Sequence, residues 1–184
     1  MGFIKKILDF INHRRNPVKF ARKIGVNLGK NCSIVGTQVW GTEPWLITIG
    51  DYTTVSFDCA FITHDGATRV IKRKEKYKDV VKFGKITIGK NCFNGARSTI
   101  MPGVTIGNSC IVATGSVVTK DIPDGEVWGG VPAKFIKTVH DYAENLYDTM
   151  PEYDVENYHA NMKEEVLKML ERGNEEWTFR IKRF

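Results

Sequence analysis

Hydrophobic residues recur at every sixth position between residues 86 and 118, and this period constrains the fold more than any other feature of the chain. One register is almost wholly aliphatic and contains Ile88, Asn94, Ile100, Ile106, Val112 and Val118. A second register, which starts at Ile86 and ends at Ser116, holds small or medium side chains. A period of six fits neither an α-helix, at 3.6 residues, nor an isolated amphipathic strand, at two. It indicates a short strand and a turn that repeat and stack as a parallel β-helix, an all-β solenoid.

The composition agrees with one soluble domain that carries terminal appendages. The chain has 184 residues, of which 42% are hydrophobic and 26% charged. No apolar run approaches the length of a membrane span, which is about 18 residues. Lysines interrupt the N-terminal apolar run, which argues against a secretory signal. The four cysteines lack C-x-x-C spacing, so we expect reduced, buried side chains in a cytoplasmic protein.

Two interruptions break the period of six. A slip of three residues lies within residues 36–45, from which Trp40, Glu43 and Trp45 are expected to project at a corner. The second interruption, residues 65–85, follows His64, has no inward register and carries many charges. We predict a protruding loop there, because loops of this length in compact folds are usually functional or mobile. About four coils remain once the interruptions are removed.

The N-terminal segment has a helical pattern. Residues 3–15 place apolar side chains at helical spacing, with the lysines mostly off that stripe. This pattern predicts a short amphipathic helix that ends before Pro17. A helix that caps the open end of the solenoid is the favoured interpretation, and peripheral contact of a basic helix with a membrane surface is the alternative.

The C-terminal segment is also predicted to be helical. Helices are expected over residues 138–149 and 155–172, the second with Asp154 as its N-cap and Gly173 just beyond its end. The predicted organisation has three parts: 1–23, helix and linker; 24–137, β-helix with the loop and a C-terminal connector; 138–184, helical appendage. We expect the C-terminal helices to cover an end of the solenoid or a neighbouring subunit.

Two motifs carry a resemblance to a known family. The run from Ile106 to Pro123, IGNSCIVATGSVVTKDIP, is followed by Gly130-Val-Pro-Ala-Lys134. Together they resemble the C-terminal signature of hexapeptide-repeat acyltransferases, and residues 24–137 are most similar to the sugar, xenobiotic and capsular polysaccharide O-acetyltransferases. The resemblance implies a left-handed coil, against the usual right-handed crossover. It also implies a homotrimer with active sites between subunits and acetyl-CoA as the acyl donor, with no metal.

The candidate catalytic residue is His64. The stretch Thr63-His64-Asp65 resembles the catalytic histidine segment of these enzymes, and no other histidine lies in the repeats. An imidazole suits the removal of a hydroxyl proton at neutral pH. We expect Asp65 or a backbone carbonyl to fix its tautomer. Glu43 and Asp65 are assigned to the acceptor site, although a solvated turn residue is the simpler interpretation of Glu43.

The resemblance also implies a set of residues that bind the donor. Ala96 and Thr114 stand 18 residues apart, at coil positions whose backbone contacts the pantetheine arm in the family. The family's Thr-Lys pair after the last coil falls on Thr119 and Lys120, and its basic pair after Val-Pro falls on Lys134 and Lys137. In the family the basic positions lie near the CoA phosphates. Lysines stand there in place of the frequent arginines, and they supply a charge without the bidentate fork.

The acceptor is left open by these motifs. We expect a sugar hydroxyl in surface polysaccharide or lipopolysaccharide synthesis, at the inner face of the membrane. O-acetylation of an antibiotic, N-acetylation of an amino sugar and a non-enzymatic scaffold are the alternatives. A γ-class carbonic anhydrase needs three zinc-binding histidines, and only one lies in the repeats. Nucleic-acid binding is not expected, because the basic segments lack interleaved stacking aromatic residues apart from Tyr77.

Overall fold

The computed structural model describes residues 14–180, with side chains to residue 172. The helix predicted over residues 3–15 therefore lies outside the described residues, apart from its last two positions. Helix α1, Pro17–Lys23, occupies the segment expected to be a linker. That prediction is wrong because proline suits the first turn of a helix, where no amide hydrogen is required. The Asn16 side chain completes the N-cap by accepting a hydrogen bond from the Lys19 amide at 2.9 Å.

Eleven short strands follow α1 and form stacked coils. They are β1 Asn27–Leu28, β2 Ser33–Ile34, β3 Ile47–Ile49, β4 Thr54–Val55, β5 Ala60–Phe61, β6 Ile86–Ile88, β7 Phe93–Asn94, β8 Thr99–Ile100, β9 Thr105–Ile106, β10 Ile111–Val112 and β11 Val117–Val118. All pair in parallel with strands of the coils above and below, in three sheets. The first sheet has the order β1-β3-β6-β9, the second contains β2-β4-β7-β10, and the third is β5-β8-β11.

The strand register confirms the period read from the sequence. Ile88 pairs with Ile106, 18 residues on, which is three hexads. In the first coil the offset is 21, since Leu28 pairs with Ile49, and this places the slip where the sequence predicts it. The offset grows again across the loop, where Phe61 pairs with Ile100. Both interruptions lie after the third sheet and before the first, so they share one corner of the solenoid.

The inward registers form one continuous core. The aliphatic side chains of both registers are buried, and so is Phe61. Trp40 packs flat on Phe61, with ring centroids 4.9 Å apart, because Val39 bridges to Ala60 and continues the third sheet. The prediction that Trp40 projects from the corner is therefore wrong, whereas Trp45 is 64% exposed as expected. All four cysteines are free; Cys59, Cys92 and Cys110 are buried, and Cys32 is half-buried.

The loop over residues 65–85 is confirmed as an insertion at the corner. It contains helix α2, Thr68–Ile71, and a 3-10 turn, Glu75–Tyr77. Its two ends are joined by backbone hydrogen bonds, from the Asp65 amide to the Lys82 carbonyl and from the Gly84 amide to the Thr63 carbonyl, each at 2.9 Å. The chain thus leaves and rejoins the coil at the same place.

The segment expected to be a connector after the last coil is a β-hairpin. Its strands are β12, Glu126–Gly130, and β13, Ala133–Thr138, joined by a turn with a cis Val131–Pro132 peptide bond. β12 continues the second sheet in parallel with β10, and β13 pairs with β12 in the antiparallel sense. The hairpin extends the second sheet by two strands, to the order β13-β12-β10-β7-β4-β2.

The chain divides after His140 into two compact units, and the second is helical. Its elements are α3, Val139–Thr149, which starts at the boundary, α4, Val155–Ala160, and α5, Met162–Arg180. Within residues 14–180 no helix has both the length and the apolar character needed to cross a membrane.

The N-cap of α4 is confirmed, and the end predicted for the second helix is wrong. Asp154 accepts a hydrogen bond from the Asn157 amide at 2.9 Å. The predicted helix is broken in two at Asn161, whose backbone, with φ −146° and ψ 67°, lies outside the helical region. The second piece runs past Gly173, because a glycine in a helix lowers its stability without requiring it to end.

Candidate active site

His64 and Glu43 meet at the corner shared by the two interruptions. His64 Nδ1 lies 3.0 Å from Glu43 Oε2, although 21 residues separate them. Two hydroxyls donate to the same carboxylate, Thr63 at 2.6 Å and Thr42 at 2.5 Å. The Glu43 side chain is 17% exposed and that of His64 is 42% exposed, so the carboxylate lies below an accessible imidazole.

The hydrogen bonds to Glu43 fix how the imidazole is held. Those from Thr42 and Thr63, with a further contribution from His64, lower the pKa of Glu43 from an ordinary 4.5 to about 2. The carboxylate is therefore ionised and can only accept, so Nδ1 of His64 must carry the hydrogen that faces it. In the neutral ring this leaves the lone pair on Nε2, as a general base requires.

Asp65 does not fix the tautomer as expected. Its carboxylate accepts a hydrogen bond from the Ala67 amide at 3.0 Å and lies 3.6 Å from Lys82 Nζ. Consecutive residues of an extended segment point to opposite sides, so Asp65 is turned away from the Nδ1 contact of His64. Its position in the loop still places it on the wall of both clefts beside His64.

The role of Glu43 could have been found from the register. Leu28 pairs with Ile49 and Ile34 with Val55, each 21 residues apart, and the same offset takes residue 43 to residue 64. Gly41 permits the close approach, because it has φ +68° and a Cβ there would lie 2.9 Å from Thr63 Oγ1. The glycine is thus a second signal for the contact.

Two clefts open beside His64. The sheet cleft, about 440 Å³, is lined by Ile62, His64, Asp65, Gly66, Lys82, Met101, Pro102 and Thr119. The loop cleft, about 420 Å³, is lined by His64, Asp65, Gly66, Thr68, Arg69, Lys72, Val81, Lys82 and Phe83. Both clefts are lined by His64, Asp65, Gly66 and Lys82. A reactant in either cleft therefore lies next to the imidazole.

Four of the six residues expected to bind the donor lie on the second sheet or at the turn beside it. Ala96 and Thr114 stack at the turn between the second and third sheets, where the Gly115 amide donates to the Ala96 carbonyl at 2.8 Å. Lys134 and Lys137 lie on β13, which extends the second sheet. Ala96 is buried, and the side chains of Thr114 and Lys134 are exposed.

Thr119 and Lys120 lie at the other turn, between the third and first sheets. Thr119 lines the sheet cleft with His64, and Lys120 next to it is exposed. Of the six positions expected to bind the donor, Thr119 alone lines either of the two clefts described, and it lines the sheet cleft. Among residues 14–172, whose side chains are described, no group of three or more histidine, cysteine, aspartate or glutamate residues is placed to hold a metal ion.

Sequence comparison identifies the family. Residues 85–120 match the family described as the hexapeptide repeat of succinyl-transferase. Protein CapG of Staphylococcus aureus is 41% identical over 147 residues, which cover 79% of this chain and 84% of that protein. Galactoside O-acetyltransferase of Escherichia coli strain K12 is 31% identical over 143 residues, covering 77% of this chain and 66% of that protein. The chain belongs to the hexapeptide-repeat acyltransferase family.

Solved structures agree on the fold. A maltose O-acetyltransferase from Clostridium difficile 630 superposes with a TM-score of 0.54 at 23% identity, covering 72% of this chain and 83% of that one. A hexapeptide-repeat acetyltransferase from Vibrio cholerae, solved in complex with acetyl coenzyme A, gives a TM-score of 0.51 at 24% identity, covering 62% and 60%. At these identities the likeness concerns the fold alone.

Proposed function

We propose that the protein transfers an acetyl group from acetyl-CoA to a sugar hydroxyl, with His64 as the general base. The observation that carries the proposal is the 3.0 Å contact between His64 and the ionised Glu43, which leaves Nε2 as the basic nitrogen of an accessible ring. The names of two relatives, a galactoside and a maltose O-acetyltransferase, support a sugar acceptor. A crystal structure of a fold neighbour with acetyl coenzyme A supports the donor.

The reaction needs one group that acts first as a general base and then as a general acid. His64 Nε2 accepts the hydroxyl proton as the sugar oxygen adds to the carbonyl carbon of the thioester. Glu43 remains ionised and stabilises the imidazolium that forms, as the aspartate of a catalytic triad does. When the C–S bond breaks, His64 returns the proton to the departing thiolate sulfur. The products are an acetyl ester and free CoA thiol, and the histidine is neutral again.

The proposal includes a homotrimer of left-handed coils. In one chain Ala96 and Thr114 lie at a different corner from His64, so a second subunit would supply the stack that completes the site. Phe57 and Phe93 are 45% and 44% exposed on the coils, and burial between subunits would remove this apolar surface from water. Lys134 and Lys137 would then meet the phosphates of the bound donor.

The acceptor in the proposal belongs to surface polysaccharide or lipopolysaccharide synthesis. O-acetylation of an antibiotic and N-acetylation of an amino sugar remain the alternatives, since both chemistries use the same base. The basic segment 3–15 would hold the protein at the inner face of the membrane, where lipid-linked glycans are built. Sedimentation of the full chain with anionic vesicles tests this, and a chain that stays in the supernatant removes it.

An acceptor screen that measures released CoA thiol tests the function. We expect the wild-type protein to release thiol with a sugar acceptor, and His64→Ala to abolish turnover. The His140→Ala variant is the matched control, since it removes a histidine from outside the repeats. Full activity of His64→Ala would overturn the catalytic assignment, and no thiol release by the wild type with any acceptor would favour a scaffold.

A further inference from the structure

The loop over residues 65–85 carries a large excess of positive charge. The formal net charge of the protein is +6. The loop contributes eight Lys and Arg against three Asp and Glu, a net +5, in 21 residues. Residues 1–30 carry a net +7 and the remainder of the chain a net −6, so the loop is the basic segment that stands beside His64. Such a local excess raises the concentration of anions around the site.

Three of these cations line the loop cleft, and two of them have no carboxylate partner. Lys82 lies 3.6 Å from Asp65, so its charge is partly compensated. Arg69 and Lys72 form no ion pair with any described residue. Lys72 is half-buried, which makes an uncompensated charge there more costly than at an exposed position. A bound anion would compensate both charges through charge-assisted hydrogen bonds.

The rest of the loop cleft suits a sugar ring. Phe83 bridges back to His64 and its ring lies 6.2 Å from the imidazole, centroid to centroid. Its side chain is 54% exposed, and that of Val81 on the same wall is 61% exposed. Exposed apolar surface next to polar groups is typical of small-molecule sites, where it packs against the apolar face of a ligand. The cleft thus offers cations at one end, an aromatic ring, and the base.

We propose that the loop cleft binds an anionic sugar as the acceptor, one that bears a carboxylate or a phosphate. This rests on the proposed function, and it names the substrate class. The negative group lies against Arg69 and Lys72, the sugar ring packs on Phe83, and the reacting hydroxyl faces His64. The donor thioester then approaches from the sheet cleft, on the side of Thr119. The loop is in this view the element that selects the acceptor by charge.

Direct binding measurements with three related sugars test the charge requirement. The probes are galactose, galacturonate and galactose 1-phosphate, titrated calorimetrically into the full chain. We expect at least one anion to bind about tenfold more tightly than galactose, which is the gain of a charge-assisted hydrogen bond at a partly exposed site. The anion whose affinity exceeds that of galactose shows whether the acceptor bears a carboxylate or a phosphate.

Two paired variants locate the effect. Arg69→Gln/Lys72→Gln should remove the tenfold preference, because it takes away the unpaired cations of the loop cleft. Arg73→Gln/Lys74→Gln removes the same charge from neighbouring loop positions that do not line the cleft, and should retain most of the preference. Acetyl-CoA affinity, measured on the same samples, should be unchanged in the first variant.

Three results would overturn the proposal. They are equal binding of galactose and both anions, an equal loss in the two paired variants, and a fall in acetyl-CoA affinity in Arg69→Gln/Lys72→Gln, which would assign the cations to the donor phosphates. Failure of the proposed function has a different signature, namely no release of CoA thiol by the wild type with any acceptor. A protein that acetylates neutral and anionic sugars equally well would keep the function and lose this inference.

Discussion

The Glu43 carboxylate lies 3.0 Å from Nδ1 of His64, one coil away and 21 residues earlier in the chain. Two threonine hydroxyls hold the same carboxylate, so its position does not depend on the histidine alone. The contact gives the imidazole its orientation and its tautomer. In the proposed mechanism this contact makes Glu43, which has the character of a turn residue in the sequence, the positioning residue of the site.

Replacement of Glu43 by glutamine should lower kcat by roughly 10²-fold or more, because the amide cannot stabilise the imidazolium that forms in the reaction. The KM for acetyl-CoA should change little, since Glu43 lies beneath the histidine. Steady-state kinetics with thiol detection measure both. Glu75→Gln is the control, a carboxylate of the loop that pairs with Lys78, and should keep wild-type kcat. An unchanged kcat in Glu43→Gln would contradict the positioning role.

The same carboxylate should make stability depend on pH in acid. The folded pKa of Glu43 is lowered to about 2 from 4.5, so the folded protein favours the ionised form. Its contribution is fully present above pH 4.5 and is lost as the pH falls from 4.5 to about 2. The difference in unfolding free energy between the wild type and Glu43→Gln should therefore shrink over this range. Denaturant titrations at several pH values measure it, and a constant difference would contradict the assignment.

Replacement of Asn94 by valine should stabilise the fold. Asn94 is fully buried in the aliphatic register, and its side-chain amide has no hydrogen-bond partner among the described residues. Its neighbours in the stack are Val55 and Val112, so a valine fits the column. Removing an unsatisfied buried amide is worth about 1–3 kcal/mol. Urea unfolding measures the gain, and a loss of stability would show that the amide has a partner.

Replacement of Gly41 by alanine should lower both stability and kcat. The new Cβ would lie 2.9 Å from Thr63 Oγ1, so the hydroxyl that holds Glu43 must move. The backbone also has φ +68°, which costs an L-residue about 1 kcal/mol. Gly125→Ala separates the two effects, because Gly125 has φ +73° and open space around its Cβ. Equal loss of kcat in both variants would assign the effect to strain alone.

The sequence predicts the coils better than it predicts the contacts between them. The core registers, the slip and the loop all follow from the local spacing of aliphatic residues, which the strand pairing reproduces at Ile88 and Ile106. Trp40 was misplaced because its partner, Phe61, belongs to the next coil. The helix that starts at Pro17 does not follow from the spacing of apolar residues, because proline is compatible both with the end of one helix and with the start of the next.

The sequence predicts the candidate site only in part, because the site too depends on contacts between coils. His64 stands out as the only histidine of the repeats, whereas the importance of Glu43 appears only when the 21-residue offset is applied to the corner. Asp65 is one of two acceptors that the sequence offers for the imidazole, and extended backbone geometry turns it toward Lys82. The cations of the loop cleft could not be assigned from sequence, because the fold of the loop decides which of eight face His64.

The two ends of the loop are joined at the corner, and this has a consequence for how an enzyme of this kind can change its substrate. Two backbone hydrogen bonds join the ends of residues 65–85 at the corner, so the coils on either side stack as if the insertion were absent. Residues between those hydrogen bonds can be lengthened, shortened or exchanged while the core registers stay in place. Under the proposal that this loop selects the acceptor, a graft of another loop at the corner would give the same histidine and the same stack of coils a new acceptor. Catalysis and selectivity would then be inherited from separate stretches of chain.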